Sequence, residues 1–443
     1  MKMPQTPPQL SELLKNVLNN LERIQRVVEI GQVVEGRYEH WDRLRFLPRP
    51  PGLPLNDWWL GLKLARAKIS KTIPLTDKEG KSFTVGTPDH ILKLLHQIDQ
   101  SASGQIEVGE VVTNQSTRDM YIIRSLIEES ITSSQLEGAS TTTDVAKNMI
   151  RSGRRPTDRS EQMIFNNYQA LQFVRTHRTS QLTPDLFFRL HRIVTEDTLE
   201  DPAKAGAFRK DEDQIQVERR GVVLHVPPSA QELPARLRLM CQFANERSDD
   251  VFIHPVVRAI ILHFWVGYDH PFVDGNGRTA RALFYWSMLS QGYWLAEYLS
   301  ISKILKKAPA QYAWAFLLTE TDENDLTYFL EYQLEDISLS IKGLREYLRQ
   351  KMAEVRQVEG LLKESADLNH RQLAILSHAL KHPGFRYSIG SHKQSHNIVY
   401  QTARTDLLNL VKRGLLTQVK RGRSFQFSAP ANLTARLQKI KTG

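Results

Sequence analysis

One short segment, residues 270–281, carries most of the side chains in this sequence that could do chemistry. It reads His-Pro-Phe-Val-Asp-Gly-Asn-Gly-Arg-Thr-Ala-Arg. His270 could take a proton from a hydroxyl at neutral pH, because the unperturbed pKa of imidazole is about 6.5. Asp274 offers the hard oxygen that Mg²⁺ prefers. Arg278 and Arg281 are three residues apart in the sequence, so on a helix both could clamp phosphate oxygens from one face.

The glycines of this segment indicate the close approach of an anion. Gly275 and Gly277 allow unusual backbone angles and leave room for a ligand against the main chain. A helix that we expect to begin at Ala280 would direct free N–H groups and its positive dipole end at that ligand. The set is typical of in-line transfer from a polyphosphate to a hydroxyl, where catalysis rests on positioning and on neutralising charge.

Helices on both sides must hold this segment in place. Apolar spacing predicts helices over 254–268 and 280–291. A β-hairpin is predicted where residues 214–217 and 222–226 flank the turn Glu218-Arg219-Arg220-Gly221. The other helices predicted for the middle of the chain cover about 118–137, 161–176, 184–196, 233–246, 300–308, 311–320 and 324–362.

The N-terminal part is also predicted to be mainly helical. Apolar residues recur at helical spacing over 10–30, and 90–98 is a further short helix. Asn56-Asp57 is expected to cap a helix that begins at Trp58. Residues 79–81, Glu-Gly-Lys, are predicted to be the turn between two short strands.

The positive charge of the chain is concentrated at its C-terminal end. The whole sequence has 59 Lys and Arg and 49 Asp and Glu. Residues 371–443 contain 13 of the basic residues and one acid, Asp406, so the rest of the chain is almost neutral, with 46 basic and 48 acidic side chains. This asymmetry indicates a polyanionic partner for the C-terminal region alone.

The order of elements in this basic region resembles that of winged helix-turn-helix regulators. A helix over 371–380 is followed by a polar turn at 391–397, a helix over 398–412 and a hairpin formed by 415–420 and 424–427. The resemblance implies DNA binding through residues 371–427. The residues that would meet DNA are Thr402, Arg404 and Thr405 on the second helix and Arg421 and Arg423 on the wing. Docking of a protein and dimer formation stay open as alternatives.

Length and composition limit the class of protein. A chain of 443 residues predicts two to four domains, and 41% hydrophobic with 24% charged residues is typical of a soluble globular protein. No apolar run approaches the ~20 residues of a membrane span, and the N-terminus lacks the pattern of a signal peptide. Cys241 is the single cysteine, which excludes an intrachain disulfide and fits a reducing cytoplasm.

Residues 270–281 resemble the signature of the Fic family, H-x-F-x-[DE]-G-N-G-R-x-x-R, at every defined position. The resemblance implies an all-α core with a β-hairpin flap that transfers AMP from ATP to a Ser, Thr or Tyr hydroxyl of a target protein. It implies His270 as base and Asp274 as the Mg²⁺ ligand. Phe272 would pack the loop. The remaining implied roles are the anion hole at Gly275, Asn276 and Gly277 and the phosphate clamps Arg278 and Arg281.

A second motif resembles the inhibitory motif of that family, [ST]-x-x-x-E-[GN]. It comprises Ser133 to Gly138 and ends in Glu137-Gly138. A carboxylate in the last helical turn faces the negative end of the helix dipole unless a cation meets it. The resemblance implies that Glu137 pairs with Arg281 and blocks productive seating of ATP. It also implies the family class whose inhibitory helix precedes the core.

The resemblance weakens after the core. Where relatives often carry Asn-Arg and paired tyrosines, this chain has Ala308-Pro309 and only Tyr312. Tyr312 lines the adenine pocket or belongs to the core, and the nucleotide preference stays open. His263 and Cys241, both on apolar helices, are expected in the core. Residues 205–209, Ala-Gly-Ala-Phe-Arg, resemble the family only in position.

These observations predict a mainly α-helical protein with a Fic-type core and an autoinhibited protein adenylyltransferase activity. Its partners would be ATP with Mg²⁺ and a hydroxyl-bearing target protein, or the chain itself; a homodimer stays open, and a membrane is not expected. The alternatives are a DNA-binding transcription regulator whose core senses nucleotide, and a Fic enzyme that removes AMP or transfers another nucleotide. The expected domains are a helical N-terminal domain (1–110), the inhibitory region (111–157), the Fic core (158–325), a connecting helix (326–365) and the winged helix-turn-helix with its basic tail (366–443).

Overall fold

The fold is mainly α-helical, as the sequence predicts. A computed structural model describes residues 2–102, 115–246, 252–363, 368–381, 384–396, 398–421, 424–430, 432–433 and 435–437. The chain divides into two compact units, residues 1–344 and 345–443. Within the described ranges, no helix has both the length and the hydropathy that crossing a membrane requires.

The N-terminal part of the first unit surrounds a small two-stranded sheet. Its elements are α1 (Leu10–Val17), α2 (Leu21–Val28), α3 (Trp41–Leu44), α4 (Leu55–Ala67), β1 (Ser70–Thr76), β2 (Ser82–Gly86) and α5 (Asp89–Ala102). The strands are antiparallel, which confirms the turn predicted at residues 79–81.

Two helix predictions in this part were wrong. The single helix expected over 10–30 is α1 and α2, because the Asn20 side chain accepts a hydrogen bond from the Arg23 N–H and starts a new helix. The helix expected from Trp58 begins at Leu55. Asp57 is not its cap but pairs with Arg23, with 2.7 Å between Oδ1 and Nη2.

The helices that hold the candidate site form the centre of the first unit. The elements are α6 (Gln115–Leu136), α7 (Thr143–Ser152), α8 (Arg159–Thr176), α9 (Pro184–Thr195), β3 (Val217–Arg219), β4 (Val222–His225), α10 (Leu233–Asn245), α11 (Pro255–Asp269), α12 (Asn276–Ser290), α13 (Ile301–Leu305), α14 (Pro309–Thr321) and α15 (Thr327–Lys363). Residues 256–266 of α11 are all buried, so this helix is the axis around which the others pack. α12 packs along it and begins at Asn276, four residues before the predicted start.

The predicted hairpin is present as β3 and β4, but the turn predicted at residues 218–221 is shorter, because Glu218 and Arg219 belong to β3. The strands are antiparallel, and the turn places Arg220 and Gly221 at φ values of 53° and 74°. Two consecutive positive φ values are typical of the tight turns that match the twist of paired strands.

The second unit contains helices and a three-stranded antiparallel sheet in the order β5-β7-β6. Its elements are α16 (His370–Lys381), β5 (Arg386–Tyr387), α17 (Ile389–His396), α18 (Tyr400–Lys412), β6 (Thr417–Arg421) and β7 (Ser424–Ser428). The polar turn predicted at 391–397 was wrong, because most of it is helix α17. Tertiary contacts override the weak apolar pattern: His392 is buried, with its Nε2 3.2 Å from Asp406 Oδ2.

Candidate active site

The loop between α11 and α12 turns sharply at both of its ends. His270 terminates α11 with φ 43° and ψ 56°, a left-handed conformation that is uncommon for a residue with a side chain. Gly275 precedes α12 at φ 81°. A Cβ atom there would lie 2.7 Å from Thr195 Cγ2, so this position accepts only glycine for both conformational and steric reasons. The loop therefore presents His270 at one end and the start of α12 at the other.

The side chain of Asn276 locks this loop. Its Oδ1 accepts a hydrogen bond from the Phe272 N–H at 3.0 Å, and its Nδ2 donates to the Phe272 carbonyl at 2.8 Å. These two bonds tie the Asn276 side chain to the main chain of Phe272 on the opposite side of the loop. Phe272 itself is completely buried, which agrees with the packing role implied by the sequence.

His191, on α9, packs against the same loop and forms a hydrogen bond to its main chain. Its ring stacks on Phe272 with 3.5 Å between centroids and 6° between planes. Nε2 donates to the Asp274 carbonyl at 2.9 Å, and Nδ1 accepts from the Gly206 N–H at 2.9 Å. Burial lowers the pKa of His191 to about 4, so the ring is neutral and its two nitrogens have fixed roles. His191 was not predictable as a site residue, because a lone histidine on an amphipathic helix carries no local signal.

His270 is held as a neutral imidazole with one nitrogen left for proton transfer. Nδ1 lies 3.3 Å from the Gly267 carbonyl, an acceptor, which assigns the ring proton to Nδ1 and leaves Nε2 unprotonated. Burial lowers the pKa of His270 to about 4; the charges of His225 and Arg209 act in the same direction, while the Gly267 carbonyl and Glu137 act against it. At neutral pH, Nε2 can therefore accept a proton.

Arg209 fixes the backbone around His270. Its Nε donates to the His270 carbonyl at 2.8 Å, and Nη2 donates to the Asp269 carbonyl at 3.3 Å and to the Pro228 carbonyl. The Arg209 N–H also donates to the Pro271 carbonyl at 2.9 Å. Arg209 thus joins the segments before and after the hairpin to the loop, a role that its position in the sequence did not reveal.

The first turn of α12 forms a cradle of hydrogen-bond donors. The helical ladder starts with the bond from the Thr279 N–H to the Gly275 carbonyl at 2.9 Å, so the N–H groups of residues 276–278 precede it. Arg278 is 0% exposed and uses Nη1 to donate to the Val194 carbonyl at 3.0 Å. Its Nε and Nη2 have no hydrogen-bond partner among the described residues. Buried donors without partners cost about 1–3 kcal/mol each, so this cradle is suited to an anionic ligand.

Glu137 lies on this cradle. It follows α6, and its Oε1 accepts from Arg281 Nη2 at 2.7 Å. The same guanidinium donates to the Ser133 hydroxyl at 2.8 Å and to the Ser133 carbonyl at 3.1 Å. A side-chain carbon on Gly277 would overlap the Glu137 carboxylate, which therefore rests against the main chain at the start of α12. Burial would raise the pKa of Glu137, but the Arg281 charge outweighs it and the pKa is lowered, so the group is ionised.

Several contacts fasten α6 in this position. The buried carboxylate of Glu129 accepts from the Ser300 hydroxyl at 2.9 Å and from the Ser302 N–H at 3.1 Å. Glu128 pairs with Lys303 at 2.8 Å. These partners all lie at or just before α13, and they act together with the Arg281 bonds to Ser133 to hold the helix that precedes Glu137.

Asp274 has the chemistry of a ligand for a divalent cation. Its carboxylate is 38% exposed, beside the cradle, with Oδ2 3.4 Å from Arg159 Nη2 and Oδ1 3.6 Å from Arg278 Nη2. In the part of the chain that the structure describes, no group of three His, Cys, Asp or Glu side chains could hold a metal by itself. One carboxylate suits Mg²⁺ that takes its other oxygens from substrate phosphates and water.

Tyr312 belongs to an aromatic cluster next to Arg281. The Tyr312 hydroxyl is 2.7 Å from His263 Nε2, and its ring lies 5.4 Å from that of Phe316. The ring remains half-buried, so both expectations for Tyr312 stay predictions. His263 is completely buried with a pKa lowered to about 3 by burial and the Arg281 charge, which confirms its place in the core.

The hairpin is fastened near His270 by its last strand residue. The two ring nitrogens of His225 lie 2.7 Å from the Tyr268 carbonyl and 2.8 Å from Glu320 Oε2. Arg219 Nη1 donates to the Pro309 carbonyl at 3.0 Å. Val223, between them, is 41% exposed. The hairpin thus offers a surface strand at the side of the loop where His270 lies.

Comparisons with known proteins match the part of the chain that contains this loop. Residues 181–288, which contain α9 to most of α12, match the model of the Fic/DOC family. The protein adenylyltransferase Fic of Nematostella vectensis is 24% identical over 206 residues, which is 45% of this chain and 45% of that relative. The protein of the same name from Drosophila melanogaster is 35% identical over 104 residues, 24% of this chain and 19% of that relative. The matched segments therefore span less than half of either relative.

A solved structure shows the same fold. The crystal structure of a Fic family protein from Desulfovibrio desulfuricans G20 superposes with a TM-score of 0.52 at 18% sequence identity. The superposition covers 78% of this chain and 97% of that protein. The all-α core and its hairpin are therefore those of a Fic-type fold.

Proposed function

We propose that this chain is a Fic-type protein adenylyltransferase, which moves AMP from ATP to a hydroxyl of a target protein and is held inactive by Glu137. The observation that carries this proposal is the pairing of two features on one loop. A neutral imidazole, His270, stands at one end. At the other end, in the largely buried first turn of α12, Arg278 has two buried nitrogens with no hydrogen-bond partner among the described residues. Relatives named as protein adenylyltransferases support the type of reaction.

The reaction follows from these positions. His270 Nε2 takes the proton of the target hydroxyl as its oxygen attacks the α-phosphorus of ATP. The bond between that phosphorus and the bridging oxygen breaks, and pyrophosphate leaves with the bonding electrons. The products are the AMP-modified protein and pyrophosphate, and His270 then loses its proton to solvent. The N–H groups of residues 276–278 and Arg278 stabilise the negative charge on the phosphates.

Asp274 would hold the Mg²⁺ that accompanies ATP. A bound Mg²⁺ supplies positive charge to the phosphate oxygens. The chain's own contribution is to keep the Asp274 carboxylate beside the cradle through its main chain, whose carbonyl accepts from His191 Nε2 at 2.9 Å. Mg²⁺ and ATP are both part of this proposal.

Glu137 would act as the inhibitor because it uses the cation and the space that a triphosphate needs. Its carboxylate is paired with Arg281 and lies against Gly277, at the start of α12. A phosphate that approached Gly277 would meet an ionised carboxylate at close range, and like charges repel strongly in a partly buried site. Release of Glu137 would free both Arg281 and the approach to Gly277.

The target segment would bind the hairpin as an added strand. His225, the last residue of β4, contacts the carbonyl of Tyr268. Tyr268 lies two residues before His270 in the sequence. Main-chain pairing with a strand edge positions a peptide without selecting its side chains. This would place a target hydroxyl by its backbone, near the base.

Transfer of label from ATP tests the proposal. Full-length protein would be incubated with Mg²⁺ and ATP labelled at the α-phosphate, alone and with cell extract, and protein-bound label would be measured. We expect Glu137→Gly to label protein, wild type to label far less, and Glu137→Gly with His270→Ala to label none. An E137G protein that binds ATP but labels nothing, itself included, would refute the transferase.

A second candidate function, DNA binding by the second unit, is favoured by the position of Asp406. This residue, the one acid between 371 and 443, is 4% exposed. Arg371 Nε donates to Oδ2 at 2.7 Å and Asn369 Nδ2 donates to Oδ1 at 2.8 Å. Between residues 371 and 443, the chain therefore offers positive charge without a competing side-chain carboxylate.

We propose that α18 reads a groove of double-stranded DNA, as the resemblance to winged helix-turn-helix proteins implies. Arg404 and Thr405 are exposed on α18, and Thr402 is half-buried. Arg423 and the side chain of Arg421 lie outside the described residues. Anisotropy of a labelled duplex, titrated with full-length protein at rising salt, tests this: we expect affinity that falls with salt and weakens in Arg404→Ala. No binding at low salt would rule out this second function.

A further inference from the structure

The Asp274 carboxylate is shared by two guanidinium groups. Arg159 Nη2 lies 3.4 Å from Oδ2, and Arg278 Nη2 lies 3.6 Å from Oδ1. Each carboxylate oxygen thus already faces a cation from this chain. Arg159 comes from the first residue of α8, far from the loop in sequence, and no motif pointed to it.

The two arginines differ in their freedom to move. Arg278 is 0% exposed and is tied to the Val194 carbonyl at 3.0 Å. The Arg159 side chain is 64% exposed and is held by Nε, which donates to the Thr198 carbonyl at 3.0 Å. An exposed guanidinium can exchange its partner for water at little cost, whereas a buried one cannot. Arg159 is therefore the partner that can leave Asp274.

We infer that Arg159 is an exchangeable counter-cation, which holds the Asp274 carboxylate in the absence of nucleotide and gives it up to a divalent cation. This inference rests on the proposed function, because it takes Asp274 as the metal ligand. Two cations cannot share one carboxylate oxygen without repulsion. Arg159 would thus be a positioning residue: it keeps Asp274 beside the cradle and weakens the affinity for metal while it does so.

The size of this effect is set by the strength of an exposed ion pair. Such pairs contribute about 0.2–1 kcal/mol, so removal of the Arg159 charge should tighten divalent-cation binding by a factor of roughly 1.4 to 5 at low salt. The difference should shrink as ionic strength rises, because the pair is exposed to screening ions. A role limited to packing would show no such salt dependence.

Titration with Mn²⁺ tests the inference. Free Mn²⁺ would be measured by its electron paramagnetic resonance signal in full-length protein saturated with ADP, for wild type, Arg159→Gln, Arg159→Lys and Asp274→Asn. Arg155→Gln is the matched control, since it removes one exposed positive charge four residues away. We expect Mn²⁺ to bind more tightly to Arg159→Gln than to wild type. Arg159→Lys and Arg155→Gln should bind Mn²⁺ about as wild type does. At high salt, the Mn²⁺ affinities of these four proteins should converge.

The outcomes separate this inference from the proposed function. Equal Mn²⁺ affinity of wild type and Arg159→Gln at low salt would overturn the inference while leaving the metal site intact. Loss of ADP affinity in Arg159→Gln, measured in EDTA, would also overturn it and would assign Arg159 to the phosphates. Undiminished Mn²⁺ binding by Asp274→Asn would instead refute Asp274 as the metal ligand of the proposed function.

Discussion

The carboxylate of Glu137 and the guanidinium of Arg281 are 2.7 Å apart, although 144 residues separate them in the chain. The pair lies against Gly277, at the start of α12, with Arg281 buried and the Glu137 side chain 30% exposed. The Glu137 carboxylate thereby lies against the first turn of α12, beside the donors of Arg278.

Weakening this pair in steps should raise transfer activity in steps. Glu137→Gln keeps an oxygen for Arg281 but loses the charge, whereas Glu137→Gly removes the whole group. A hydrogen bond to a charged group contributes about 1.5–3 kcal/mol, so we expect Glu137→Gly to exceed wild type by roughly ten- to a hundredfold, with Glu137→Gln between them. Initial rates of label transfer measure this. Equal rates in all three proteins would contradict the role of the pair.

Activity should not follow the titration of an ordinary histidine. Because the pKa of His270 is lowered to about 4, its neutral form persists well below pH 6. In the Glu137→Gly background, the rate should be nearly constant from neutral pH down to about pH 5 and fall only as pH approaches 4. A rate that halves near pH 6.5 would show that His270 is not held as described, and nuclear magnetic resonance of the ring nitrogens would give its tautomer directly.

His191 should make the protein less stable in mild acid. Its pKa is lowered to about 4 in the folded state, against about 6.5 when unfolded. Below pH 6.5 the unfolded chain binds a proton that the folded chain does not, so the free energy of unfolding falls as pH falls, by up to about 1.4 kcal/mol per pH unit from this residue until pH 4. Urea unfolding at pH 7.5 and 5 measures the loss, which His191→Gln should reduce. An unchanged pH dependence in that variant would contradict the prediction.

Asn276 should be important for stability even without nucleotide. Asn276→Asp can still accept from the Phe272 N–H but cannot donate to the Phe272 carbonyl. An unsatisfied buried group costs about 1–3 kcal/mol, so the free energy of unfolding should fall by about that amount. Asn369→Asp is a control from the other unit. The Asn369 side chain also donates to an oxygen, which is Oδ1 of Asp406. A full loss of ADP binding with unchanged stability would assign the Asn276 side chain to the ligand instead.

Much of the candidate site could be predicted from local sequence. The order of residues in 270–281 states which groups are present, since their spacing along one loop and one helix turn fixes their approximate positions. The hairpin was predictable because the turn residues 218–221 between two β-prone runs are a local signal, although the turn itself is only Arg220-Gly221. The Ser133–Gly138 motif indicated Glu137, and the Arg281 contact agrees with it.

The residues that hold the site had no such signal. His191 and Arg159 are common types at unremarkable positions of helices, and Arg209 was noted only as part of residues 205–209; each acts on a segment 60 or more residues away. Local periodicity reports which side of a helix is buried but not which distant carbonyl a polar side chain will meet. Helix α17 was missed for the same reason, since His392 is buried through Asp406 on another helix.

The sequence by itself determined the chemistry that is available: a histidine, a carboxylate, two arginines and a glycine turn within twelve residues, and a basic C-terminal region. Only the tertiary structure decided their state, with His270 neutral, Arg278 buried with spare donors and Glu137 seated on Gly277. The physical reason is that pKa values and unsatisfied hydrogen bonds depend on burial and on partners brought together by folding, whereas residue types and their spacing are set along the chain.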